Sequence, residues 1–308
     1  MRSQRFDSEA LSASGRGAEA GQARAMDMRP DIPFSTDKIV GIDLTHIIHT
    51  SQVAAAKGGP GGGGGSGGGG GTTYPSYISG AADGKAGYDI QIDFVGTSWT
   101  QALHDVFVTA ADRLTSLILG DVQDVSVRSR GKVTNIDDIV ITAELGEIDG
   151  LYGILGQAGP TSVRTTGSLP ATAQMQFDIA DVNDMGLAMF AEVVLHEMAH
   201  SLGSGSIWDR LGLVSNGEFT GPKAVGEYHK LGGTRAGIPV EQDGGSGTAG
   251  SHWDEETFNN ELMTGYINNG DNPFSEMTAA SFGDLGYTLA ANYGGVAEDY
   301  TMPVTTFA

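Results

Sequence analysis

Residues 193–206 read VVLHEMAHSLGSGS, and the fold and chemistry of the chain both turn on them. His196 and His200 are four positions apart, so a helix sets both imidazoles on one face, a turn from each other, where they can point at a single ion. Glu197 follows the first histidine and can reach a water on that ion without ligating it. The flanking residues Leu187, Phe190, Val193, Val194, Leu195, Met198 and Leu202 are apolar almost all round, which predicts a buried helix. Two imidazoles and a carboxylate inside such a helix cost free energy unless they are partnered. Gly203 stops the helix and lets the chain turn back sharply. In the longer pattern H-E-x-x-H-x-x-G-x-x-H the last position falls on Ser206. A catalytic zinc needs three protein ligands plus water. Either the site is incomplete or the third ligand lies elsewhere, and the pentapeptide alone also occurs by chance.

There is no cysteine, so a third ligand must be His, Asp, Glu or a backbone oxygen. Five further histidines are available. His46 and His49 precede a tract from Gly58 to Gly71 in which twelve of fourteen residues are glycine. His104 falls on the polar side of a predicted helix and reads as solvated. His229 stands next to Lys230, where a like charge makes a poor ligand site. His252 stands in GSHWDEETFNNELMTGYIN, residues 250–268.

Outward from the motif, the pattern predicts alternating strands and helices. YDIQIDFVG (88–96) sets Ile90, Ile92 and Phe94 against Asp89, Gln91 and Asp93, the period of a half-buried strand. Leu103, Phe107, Ala110, Leu114 and Leu117 recur at helical spacing over 100–121, with Gly120 at the end. DIVITAEL (138–145), GLYGILGQAGP (150–160) and AQMQFDIAD (173–181) read as three more strands, and a second long helix runs from about 183 to 202. This order fits a mixed sheet with helices packed on it. The stretch 209–256 is rich in glycine and turn residues and reads as mostly loop. Residues 1–87, polar at first and then glycine-rich, are expected to be a disordered region and linker. The folded domain is expected over 88–308, with an upper part to about 205 and a lower part from about 206.

The chain carries 38 Asp plus Glu against 17 Lys plus Arg, a formal charge of −21. Nucleic acid and anionic membranes would repel it, and neither is expected as a partner. No stretch reaches the roughly 18 apolar residues of a membrane-spanning helix. The first 31 residues lack the apolar core of a secretory signal. Asp178, Asp181 and Asp184 in DIADVND read either as part of a calcium site or as caps on the helix that follows. Tyr266 reads as an oxyanion donor or as a packing residue.

The words His252-Trp253 and Glu261-Leu262-Met263, with 52 positions from His200 to His252, resemble the leishmanolysin family of metzincin peptidases. FDIADVNDM, GIPVEQDGGSGTAGSHW and DLGY (284–287) agree in the same order, and the likeness covers about residues 88–303. The family has a long insertion before its third zinc histidine, so the resemblance assigns that ligand to His252 and makes Ser206 no defect. It implies an α+β metzincin-like fold: a mixed twisted sheet, two long helices and a loop-rich C-terminal subdomain. It further implies one catalytic zinc on His196, His200 and His252, Glu197 as general base, and Gly203 and Met263 as supporting residues. Protein or peptide substrates, an edge strand near 150–157 that pairs with them, and an extracellular or cell-surface location follow from it. Two features depart from the family: its usual cysteines are missing, and neither its signal peptide nor its lipid-anchor signal is expected from these residues. Oligomeric state is not legible. The rival expectation is a non-catalytic binding protein with zinc as a structural staple, which the intact Glu197 disfavours.

Overall fold

The computed structural model describes residues 24–25, 74–80, 87–129, 132–245, 247–268 and 270–303. The alternating strand over 88–96 forms β2, Ile90–Val95, with Ile90, Ile92 and Phe94 buried. Its polar face is not solvated throughout. Asp93 is buried as well and accepts hydrogen bonds from Ser76 Oγ at 2.6 Å and Gln91 Nε2 at 2.9 Å. The donor Ser76 belongs to the segment that enters β1, Tyr77–Ser79, which pairs antiparallel with β2. The sheet thus takes in residues ahead of Tyr88, inside the stretch read as linker. His46, His49 and the glycine tract lie outside the described residues.

After β2 the chain forms α1, Gln101–Leu117, capped by Thr100 Oγ1, which accepts from Leu103 N. A hairpin follows, β3 (Val125–Ser129) against β4 (Lys132–Ile136), which the periodicity did not suggest. The chain then runs through β5 (Ile139–Gly146), β6 (Gly156–Val163) and β7 (Pro170–Asp178). The sheet order is β1-β2-β5-β7-β6. Its three central strands are parallel, in register Ile90↔Ile139 and Val140↔Thr172, and its two edges are antiparallel. A mixed sheet was the expectation, and the crossover through α1 is what makes β2 and β5 parallel.

The edge strand is displaced from its expected place at 150–157. It starts only at Gly156, because residues 148–154 are pinned as a loop. Asp178 Oδ2 accepts from the backbone N–H of Ile148, Asp149 and Gly150 at 2.8–2.9 Å, and Asp181 Oδ1 accepts from Tyr152 N at 2.9 Å. Asp178 also caps the next helix, α2, Ile179–Ser201, through Ala180 N. Burial pushes the Asp178 carboxyl up, but four backbone donors outweigh burial and hold it down at about 2. The capping reading of this acidic stretch therefore describes it. Asp178, Asp181 and Asp184 do not converge as a group of three carboxylates among the described residues.

Within α2 the backbone leaves helical angles at Gly186 (φ 77, ψ 163) and resumes at once. The segment from Phe190 onward is buried almost without a break, as its composition predicts. Phe107 of α1, Phe177 of β7 and Phe190 of α2 meet edge to face, centroids 5.4–6.0 Å apart, and join both long helices to the sheet. Beyond α2 the chain is less loop-like than its composition suggested. Pro222–Lys230 forms α3, with Gly226 interrupting an otherwise readable pattern, and it packs on α5, Glu276–Leu285. Between them lies the single turn α4, Glu255–Phe258. No described helix is long and apolar enough to cross a membrane.

Candidate active site

The last two turns of α2 carry His196, Glu197 and His200, all within 1 % of full burial. Gly203 (φ 110) and Gly205 (φ 70) then reverse the chain in a conformation that an L side chain adopts only at a cost. The reversal lets the loop carrying His252 fold back onto the helix end. A Cβ built on Gly205 would lie 2.0 Å from the Ser251 carbonyl oxygen, one residue from His252. Glycine is required there.

Three imidazoles meet as a result. The Nε2 atoms of His196 and His200 are 2.8 Å apart, those of His200 and His252 3.0 Å, and those of His196 and His252 3.2 Å. Each Nδ1 faces a backbone carbonyl, which can only accept: His196 donates to Leu262 O at 2.7 Å, His200 to Ser204 O at 2.8 Å and His252 to Thr248 O at 3.0 Å. The proton of each ring is therefore on Nδ1, and three Nε2 lone pairs point at one another. Burial is the main reason the rings resist protonation. His196 is held down at about 3 and His252 at about 4, and His200 lies well below the usual imidazole range. Three neutral acceptors so close together repel unless a cation lies between them.

The donor set suits zinc. Neutral imidazoles are favoured zinc ligands, and the carbonyl partners are the usual device for fixing the tautomer. Tetrahedral ligation at 2.0–2.1 Å spreads three nitrogens to about 3.3 Å, a small opening of the observed triangle. Among the described residues the other groups able to hold an ion are carboxylates around Asp137, exposed or half-buried apart from the buried Asp138. There Asp138 already accepts from Asp89 N at 2.6 Å and Val122 N at 2.8 Å.

Glu197 projects towards the edge of the sheet. A Cβ on Gly156, the first residue of β6, would lie 3.2 Å from Glu197 Cγ and 2.9 Å from Phe177 Cδ1. The edge strand thus passes directly beside the carboxylate stem, and only glycine leaves room for it. Met263 is fully buried; its carbonyl accepts from Trp253 N at 2.9 Å. Trp253 in turn stacks on Trp208 (centroids 4.5 Å) and meets Phe219 edge to face (5.4 Å), so an aromatic wall backs the residue after His252.

The other histidines lie elsewhere. His229 is exposed and in contact with Arg235 O at 2.9 Å. His104 is not the solvated residue expected of it: its ring packs against Tyr74 (5.2 Å) and Phe94 (4.6 Å), and its side chain is only 13 % exposed. Tyr266 sits half-buried in the short strand Tyr266–Ile267, paired with Arg24–Ala25. The sequence reading gave Gly205 only the part of a helix stop, beside Gly203, and gave none to Gly156 or to the carbonyls of Leu262, Ser204 and Thr248. Only the two glycines leave a mark in the sequence, and glycine is too common here to single out their close approaches.

Comparison with known proteins agrees with this geometry. The leishmanolysin family profile matches residues 133–302, more than half of the chain. A leishmanolysin homolog from Crithidia fasciculata is 30% identical over 158 residues, which is 46% of this chain and 23% of that protein. This chain thus spans well under two thirds of the curated relative it matches. The buried histidine cluster, the edge strand beside it and the matched stretch around both lead to one conclusion: the protein belongs to the leishmanolysin family.

Proposed function

We propose that this chain is a zinc-dependent endopeptidase with a metzincin-type catalytic domain. The observation that carries the reading is the convergence of three Nε2 lone pairs with a buried carboxylate on the adjacent residue. His196, His200 and His252 hold the ion, and the carbonyls behind them keep the three lone pairs facing it. Zinc supplies, when bound, a Lewis acid and a water acidified to near neutral pH. Glu197 takes a proton from the attacking water at a carboxylate oxygen and returns it to the nitrogen of the departing amine. Burial of the site keeps bulk water from competing for that proton. An extended peptide pairs with the outer edge of the sheet at β6, which leads its backbone past Glu197. Gly203 shapes the end of the helix, and Met263 forms the turn that backs the histidines. Substrates are proteins or peptides, met outside the cell or on its surface.

Glu197→Gln is the test, because the amide keeps the size of the side chain and removes its basicity. Zinc content and thermal stability should stay close to wild type, while peptide hydrolysis falls by about 10²–10⁴-fold. A wild-type protein that binds zinc but cleaves nothing would favour a structural zinc in a binding protein. Full activity in the variant would refute the role given to Glu197.

A further inference from the structure

Behind the three histidines lies a second buried carboxylate that the proposed chemistry does not use. Glu261 is fully buried. Its Oε2 accepts from Met263 N at 2.6 Å. Its Oε1 accepts from Ser275 N at 3.1 Å, Ser275 Oγ at 2.5 Å and Thr278 Oγ1 at 2.5 Å. Ser275 caps the ten-residue helix α5, so the carboxylate sits at a helix N-terminus, where a negative charge is favoured. Four donors on two oxygens leave little freedom to the turn 261–263.

Both arms of the histidine site depend on that turn. Leu262, held between Glu261 and Met263, offers the carbonyl that receives His196 Nδ1–H at 2.7 Å. The Met263 carbonyl accepts from Trp253 N, and Thr278 Oγ1, itself a donor to Glu261, accepts from Trp253 Nε1 at 2.8 Å. Trp253 directly follows His252. One carboxylate therefore reaches His196 on the helix through Leu262 and His252 on the distant loop through Trp253. We propose that Glu261 is the positioning residue of the site: it fixes the turn that orients His196 and anchors the backbone beside His252. The proposal rests on the zinc reading above only for its consequence on metal affinity, not for the orientation of His196.

The experiment compares wild type with Glu261→Gln and Thr278→Val in the full chain, with two readouts. The first is the tautomer of His196 in metal-free protein, from imidazole ¹⁵N shifts; the second is zinc affinity by competition with a chelator. Wild type should show Nδ1–H. Glu261→Gln sets an amide N–H against a donor, so His196 should lose its single tautomer and zinc affinity should fall about 10–100-fold. Thr278→Val removes one donor and the Trp253 acceptor and should give a smaller fall. A folded Glu261→Gln protein with unchanged tautomer and zinc affinity overturns the proposal. If that variant does not fold, unchanged values in Thr278→Val overturn it instead. A wild type that takes up no zinc, with the tautomer held there and lost in the variants, would leave the proposal standing and remove the zinc reading.

Discussion

Gly205→Ala should damage the histidine site without touching any of its side chains. The residue sits at φ 70, where an L side chain costs about 1–2 kcal/mol. The new Cβ would also start 2.0 Å from the Ser251 carbonyl oxygen and 3.2 Å from His200 Cε1. Side-chain carbons essentially never approach another atom closer than 3.0 Å, so helix end and loop must separate by about 1 Å. Overpacking of this kind adds about 1–3 kcal/mol, for a total loss of about 2–5 kcal/mol and a drop in Tm of roughly 5–15 °C. The separation falls on the residue before His252, whose Nε2 must stay in register with that of His200 at 3.0 Å. Metal ligands tolerate displacements of only about 0.2 Å, so zinc affinity should fall by 10-fold or more and hydrolysis by about 10²-fold. Gly212→Ala is the control. It has nearly the same φ, 67, with nothing within 4 Å of the new Cβ, so it should cost about 1–2 kcal/mol and leave zinc binding unchanged. The assay is zinc competition against a chelator, with thermal melts of both metal-free variants. Wild-type zinc affinity in Gly205→Ala would refute the claim that this close approach sets the ligand geometry.

Other consequences can be checked as simply. His252→Ala should abolish stoichiometric zinc binding, whereas His229→Ala should leave it intact; elemental analysis of both decides. The three site histidines titrate well below their unfolded value of about 6.5, so as pH falls through 6.5 the unfolded chain takes up protons that the folded one refuses. Metal-free protein should lose stability on acidification at up to about 1.4 kcal/mol per pH unit for each histidine. Asp138 and Glu255, both raised to about 7 chiefly by burial, act in the opposite sense and favour the fold as pH falls. The measurable quantity is therefore the difference between wild type and His252→Asn in urea midpoints at pH 7 and pH 5, and an equal change in both proteins would contradict the assignment. Asp178→Asn should loosen residues 148–154 ahead of β6, seen as faster amide exchange at Ile148, Asp149 and Gly150 while Asp89 N, which donates to Asp138, stays protected; unchanged exchange would show that the loop does not depend on that carboxylate.

The parts of this protein legible in the sequence were those governed by local periodicity. Phe107 to Leu117 and Phe190 to Leu202 repeat every three to four residues because each helix buries one side, and α2 from Phe190 onward buries nearly all of itself, although Leu187, expected inside, is half exposed. The alternation of β2 and the apolar run of β5 were readable for the same reason, and so was the i, i+4 pair of histidines with Glu197 beside it. The hairpin 125–136 escaped because each of its strands is only five residues long, too short for an alternation to stand out, and α3 because Gly226 interrupts it. The position of β6 could not be read because it depends on Asp178, more than twenty residues on, whose carboxylate holds Ile148–Gly150 as a loop. Spacing alone left the partner of His196 and His200 open among five histidines, and only likeness to a family pointed to His252. What brings His252 to within 3.2 Å of the others is tertiary. Two glycines reverse the chain after α2, a glycine without a side chain admits the loop at Ser251, and Glu261 fastens the turn behind both arms. None of these contacts has a period in the sequence, because each joins residues that only the folded chain makes neighbours.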